Sequence, residues 1–220
     1  MTERGQTFLG RVIDTIPLSP EALASNDPEE VIFSNLDFVD WAQQKAYLLV
    51  GEFPIESLMV GSTDYYLGEI LNGGHGQFIW NSGWNELTNI LVDAGLTAFG
   101  RDGYLEIYRE MVETVKADSL LLSNIVERKI EFGAACEHFS KLDDRFYALG
   151  CEWASGTNGE YQSYDHLRFL MANWLRALPI VRPVPDEQRE ALLEDWKKRN
   201  LLLDARSEKD REATKAQRAA

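Results

Sequence analysis

The amino-acid sequence predicts an all-α protein, a compact multi-helix single domain with an additional charged C-terminal helix. Three observations carry this expectation. Large apolar residues recur at i, i+3, i+4 and i+7, the spacing that lines one face of a helix. Helix starts are written as a capping residue, a proline and an acid. No run alternates apolar with polar residues as a half-buried strand does, and no internal repeat is visible. With 220 residues, 45% of them apolar, the chain can bury a sizeable core. Three stretches are distinguished: a helical lead over residues 1–36, a main helical domain over 37–180, and a charged helix over 181–220.

Residues 1–18 show no clear period. Ser19-Pro20-Glu21 and Asp27-Pro28-Glu29-Glu30 each place a side-chain acceptor before a proline, with acids facing the positive end of the helix dipole. A longer helix is expected over 37–50, with Phe38, Trp41, Ala42 and Lys45 on one face and Gly51 and Pro54 ending it. Another is expected over 63–71. Trp84, Leu87, Leu91 and Ala94 mark the next. Leu105, Tyr108, Val112 and Val115 mark one after Gly103. Residues 118–140 read as helical and 142–149 as a short helix, followed by a loop over 156–159. Leu167, Leu170, Met171, Trp174, Leu175 and Leu178 form the cleanest stripe, stopped by Pro179, Pro183 and Pro185. A last helix starts near Asp186 and buries Leu192, Leu193 and Trp196. The pairs Glu194 with Lys198 and Asp195 with Arg199 support it. Its mixed-charge tail reads as frayed or disordered.

The chain holds 36 acidic against 22 basic residues, a net charge of −14. Residues 1–120 carry 19 acids and 6 bases, residues 121–180 carry 8 and 6, and residues 181–220 carry 9 and 10. Such a field repels nucleic acid and anionic membrane and attracts basic partners, although solubility is the simpler use of it. Cys136 and Cys151 form no CxxC pair. The first residues lack the continuous apolar stretch of a secretory leader, and no apolar run approaches the roughly 18–20 residues that cross a bilayer. A cytoplasmic location is expected.

The stretch Asn72-Gly73-Gly74-His75-Gly76-Gln77-Phe78-Ile79-Trp80-Asn81-Ser82-Gly83 stands apart. Asn-Gly-Gly sits where a helix should end, since a C-terminal cap often takes a positive φ that Gly adopts freely and Asn tolerates. A short second helix then brings Phe78, Ile79 and Trp80 into the centre. Ser82 is positioned to cap the helix after it. The segment reads as a helical corner with a buried plug, the alternative being a ligand loop.

This segment resembles the signature of a bacterial family of all-helical domains of unknown function, whose named member is a DNA-mimic protein. Glu69, Asn72, Gly73, Gly74, Gln77, Phe78, Asn81 and Ser82 match the family pattern, while His75 and Gly76 depart from it. Residues 142–149, Leu-Asp-Asp-Arg-Phe-Tyr-Ala-Leu, resemble a second family segment. His166 to Leu175 resemble its closing helix. The resemblance covers roughly residues 37–180. It implies an all-helical fold in which the matched motif residues serve the fold. For the named member it implies an acidic surface that occupies the DNA-binding face of a helix-turn-helix regulator.

The expected function is therefore an acidic protein-binding module, with a basic protein of that kind as partner and no direct nucleic-acid contact. The carboxylates assigned to it are Asp27, Glu29, Glu30, Asp37 and Asp40, and Glu106, Glu110 and Glu113 at helical spacings of four and three. Arg109 and Lys116 interrupt the second set. A helical adaptor or immunity-type protein is the alternative, which exposed Trp41, Trp84 or Trp153 would favour. An enzyme is the least favoured reading, and no catalytic residue is assigned. His75 reads as a partly exposed corner residue, and Cys136 and His138, two apart on a helix, point in different directions. His166 falls in the first turn of its helix. No HExxH, Glu-x-x-His, GxSxG, GxGxxG or GxxxxGK[ST] pattern is present, so neither a tight metal site nor a cofactor is expected.

Overall fold

The computed structural model describes residues 10–100, 102–157, 161–163 and 165–219. Residues 1–9 of the lead, and 158–159 of the expected loop, lie outside them. Both cap–proline–acid signatures start helices. Ser19 accepts from the Ala22 N–H and opens α1 (Pro20–Ala24). Asp27 accepts from the Glu29 N–H and opens α2 (Pro28–Asp40). The helix expected to begin at 37 is thus the end of α2, which runs through the boundary placed between 36 and 37. It loosens into a π turn over Trp41–Lys45, where the Ala46 N–H reaches the Trp41 carbonyl.

The centre of the molecule is α3 (Ile55–Ser82), which begins eight residues before the expected position at 63. Around it pack α2, α4 (Glu86–Phe99), α6 (Ser119–Val126), α7 (Phe132–His138), α8 (Ser140–Ser155) and α9 (Asp165–Ala177). Neighbours on so many sides explain why α3 has no single apolar face. The α5 helix (Asp102–Ala117) packs on α4, α6 and α8. Residues 118–140 are two helices, because Arg128 takes a positive φ of 57° between them. The α4 stripe is also rephased. Trp84 precedes the helix at φ 56°, Leu87 is exposed, and the buried side is Leu91, Val92, Gly95, Leu96 and Phe99. The α9 stripe stands as read, with Leu167, Met171, Ala172 and Leu175 buried.

Two strands that show no alternation join the flanks. β1 (Ile16–Leu18) pairs in parallel with β2 (Val181–Pro183), Ile16 opposite Val181. Each is three residues long, too short for a period of two to register. Beside them α10 (Asp186–Arg199) packs on the π turn and buries Leu193 and Trp196. Within α10, Glu194 pairs with Lys197 rather than Lys198, and Asp195 pairs with Arg199. Asn200 then breaks the helix and donates to the carbonyls of Ala46 and Tyr47. The tail read as frayed forms α11 (Leu203–Ala219).

Near the start of α11, Arg206 reaches into the N-terminal flank. Its guanidinium grips the Glu52 carboxylate with both arms (2.7 and 2.9 Å) and donates to the Tyr47 carbonyl. Glu52 is fully buried and also accepts from the Leu49 N–H, while its own carbonyl accepts from Val12 and Ile13. The two flanks are therefore clasped by a buried ion pair. Among the described residues, no helix is long and apolar enough to cross a membrane.

Candidate functional site

The corner predicted at Asn-Gly-Gly is a break inside α3. Asn72 keeps helical backbone angles, so the cap expected there is not used. Gly73 is extended, and Gly74 carries the turn at φ 78°, ψ −172°, a region only Gly populates. The chain then folds back on itself. Asn81 donates to Glu69 across the two halves at 2.7 Å, although twelve residues of continuous helix would hold them about 18 Å apart. Phe78 meets the Tyr66 ring edge-on at 5.1 Å, and Phe78 and Ile79 are buried as expected, while Trp80 is only half-buried.

Breaking a helix orphans a carbonyl on one side and an amide on the other. Helix α8 satisfies both from a single face. Tyr147 donates to the Ile70 carbonyl at 2.6 Å. Asp143, one turn earlier, accepts from the His75 N–H at 2.9 Å, placing a carboxylate at the positive end of the second half-helix. The same oxygen takes the His75 ring nitrogen Nδ1 at 2.5 Å. Both residues belong to the second segment singled out in the sequence. Their i, i+4 spacing was the signal that could have marked them.

His75 is not a partly exposed corner residue. It is 0% exposed, because its far nitrogen, Nε2, lies 2.9 Å from the hydroxyl of the equally buried Tyr66. Burial pushes the Tyr66 phenol well above its ordinary range, with Tyr108 and Asp143 adding to the effect. The Tyr66 hydroxyl and the Asp143 carboxylate together engage both ring nitrogens and fix the orientation of the imidazole. Tyr108, Phe146 and Phe78 close the ring of aromatics around Tyr66. The recess lined by Tyr104, Phe146 and Tyr147 has room for about one water.

Gly76 holds the corner to α7, and Ser82 ties it to the next turn. A Cβ on Gly76 would lie 2.7 Å from the Cys136 Cα and closer still to the Ala135 carbonyl, so α3 and α7 touch backbone to backbone there. Burial raises the Cys136 thiol, and the Gln77 backbone partly offsets it. Ser82 accepts from the Trp84 N–H within the turn, but the cap of α4 is Asn85, which accepts from Thr88. His166 lies in the first turn of α9, stacked on Trp153 at 5.0 Å and bonded to the Tyr104 hydroxyl.

The eight assigned carboxylates fall into two places. Glu30, Asp37 and Asp40 lie on one face of α2, with Phe33, 53% exposed, between them. Glu106, Glu110 and Glu113 lie exposed on α5. The α2 helix packs on α1, α3, α9 and β1, while α5 packs on α4, α6 and α8, so the two sets do not merge by direct packing. Several are already engaged. Asp27 caps α2, Glu29 pairs with Arg168, Asp37 with Arg189, Glu110 with Arg145 and Glu113 with Lys116. Glu30, Asp40 and Glu106 make no ion pair among the described residues. Trp41, Trp84 and Trp153 are half-buried.

Residues 51–177 match the family described as DMP19-like protein. The chain belongs to the DMP19-like family. No curated protein and no solved structure matches it. The DMP19-like segment takes in α3 to α9, hence the whole corner and the acids of α5. The acidic face of α2, β1, β2, α10 and the Arg206 side of the clasp lie outside it, while Glu52 stands at its first turn.

Proposed function

We propose that this DMP19-like chain is a cytoplasmic protein-binding module whose acidic surface takes up a basic partner. The observation that carries the reading is the unbalanced charge of residues 1–120 together with the exposure of its carboxylates on α2 and α5. The partner class that fits is a DNA-binding protein of the helix-turn-helix kind, held through the surface that otherwise meets phosphate. Charge density sets a limit on literal mimicry. Glu30, Asp37 and Asp40 span ten residues, about 15 Å of helix, over which duplex DNA presents roughly nine phosphates. One stripe supplies about a third of that density, so full imitation requires the α5 carboxylates as well.

A catalytic reading of His75 is disfavoured because both ring nitrogens are engaged and the imidazole is sealed. The adaptor reading draws support from Leu87 and Ile90, exposed one turn apart on α4. Binding of a purified helix-turn-helix domain, measured at low salt and at about 0.5 M salt with duplex DNA as competitor, separates these readings. Binding that is lost at high salt and displaced by DNA supports the acidic surface. Binding indifferent to both favours the adaptor, and no binding at low salt removes the proposal.

A further inference from the structure

The acidic face of α2 ends at an aromatic residue that already holds a guanidinium. The Arg189 side chain of α10 reaches across to Trp41, with its Cζ 5.6 Å from the ring centroid. Its Nη1 lies 3.8 Å from the Asp37 carboxylate and 3.4 Å from Asp186. Lys45 approaches the same indole at 4.7 Å. Pro17, Phe38, Leu192 and Trp196 line the recess beside the ring. An aromatic face with a carboxylate at its edge is the arrangement that selects arginine over lysine, because the planar guanidinium stacks and donates at once.

The contact is also exchangeable. Asp37 and Asp186 are 63% and 80% exposed, so the charges that hold the guanidinium face solvent and bind it weakly, while Arg189 itself is 20% exposed and mostly covers what lies beneath it. The helix does not depend on it. Leu193 and Trp196 are buried, and Asn200 is bonded to the Ala46 carbonyl. Release of the Arg189 side chain therefore uncovers the Trp41 ring and the recess beside it while α10 stays in place. The exposed Phe33, Glu30 and Asp40 continue the same face, giving the residues around an incoming arginine apolar and acidic contacts.

We propose that Trp41 and Asp37 form a seat for an arginine of the basic partner, and that Arg189 fills this seat in cis until the partner displaces it. The proposal rests on the acidic-surface reading and deepens it. The seat lies wholly outside the DMP19-like segment, so it is a property of this chain's flanks.

The test titrates hexa-arginine and hexa-lysine peptides into the full chain at low salt by calorimetry. Arg189→Ala frees the seat and is expected to bind hexa-arginine on the order of fivefold more tightly than the parent, with a smaller gain for hexa-lysine. Adding Asp37→Asn to Arg189→Ala removes the gain. Lys198→Ala removes the same charge from an exposed position of α10 and serves as the control. The seat is overturned if Lys198→Ala gives the same gain, or if Asp37→Asn leaves the gain intact. Salt-sensitive peptide binding that no variant alters overturns the seat but upholds the acidic surface. Absence of peptide binding in every variant overturns both.

Discussion

Gly74→Ala tests whether the corner is held as described. A methyl group there meets two separate penalties. The backbone angles, φ 78° and ψ −172°, lie where residues with a Cβ are strained by about 1–3 kcal/mol. The new Cβ would also sit 2.6 Å from the Asp143 Cγ, so the carboxylate must leave. Its departure strands the His75 amide and imidazole, and hydrogen bonds to a charged group contribute about 1.5–3 kcal/mol each. The sum is on the order of 4–9 kcal/mol, a large share of the ~5–15 kcal/mol that keeps a typical protein folded. Urea denaturation followed by tryptophan fluorescence and far-ultraviolet circular dichroism measures it. A double-mutant cycle then separates the two penalties. In an Asp143→Ala background only the backbone strain remains, so Gly74→Ala should cost about 1–3 kcal/mol there. A cost below about 1 kcal/mol in the parent, or the same cost in both backgrounds, would refute the reasoning.

The neighbouring glycines should differ. Gly73→Ala meets only the flexible Gln77 side chain and should cost less than about 1 kcal/mol, whereas Gly76→Ala pushes on the α7 backbone and should cost about 1–3 kcal/mol in the same melts. Arg206→Ala leaves Glu52 buried without its ion-pair partner and should cost about 3–5 kcal/mol, while Glu52→Gln combined with Arg206→Met should recover much of that loss. Burial also raises the phenols of Tyr66, Tyr104 and Tyr108 above their ordinary value of 10.0. Above pH 10 the unfolded chain releases protons that the folded chain retains. Stability is therefore full below pH 10 and falls above it, by about 1.4 kcal/mol per pH unit for each phenol. Tyrosinate absorbance should show these three ionising only with unfolding, and their early, reversible titration would count against a sealed cluster.

What the sequence discloses here is local. The caps at Ser19 and Asp27, the break at Gly73-Gly74 and the α9 stripe all depend on residues within one or two turns, and each appears where it was read. The parts that escaped depend on distant partners. His75 looks like a corner residue until Tyr66, nine positions back, and Asp143, sixty-eight positions on, close over it. β1 and β2 gain strand character only from each other. The α4 phase differs from the sequence pattern because Trp84, the first residue of the apolar spacing, takes a left-handed backbone before the helix starts. The acidic residues were legible as a set, but their division between α2 and α5 and their engagement by Arg168, Arg189 and Arg145 depend on tertiary packing.

The clasp between the flanks also places a demand on synthesis. Glu52 emerges from the ribosome 154 residues ahead of Arg206. At about 5–20 residues per second it waits roughly 8–30 s for the cation that neutralises it, a span in which many helical domains fold completely. The DMP19-like segment can assemble in that interval, since the corner and its α8 partners are complete once α9 is made. The N-terminal flank cannot, because β1 and the π turn close on residues translated last, as does Glu52 at the edge of the DMP19-like segment itself. Until then an acidic segment with an unmatched strand stays open, and like charge on such a segment opposes edge-to-edge pairing with a second copy.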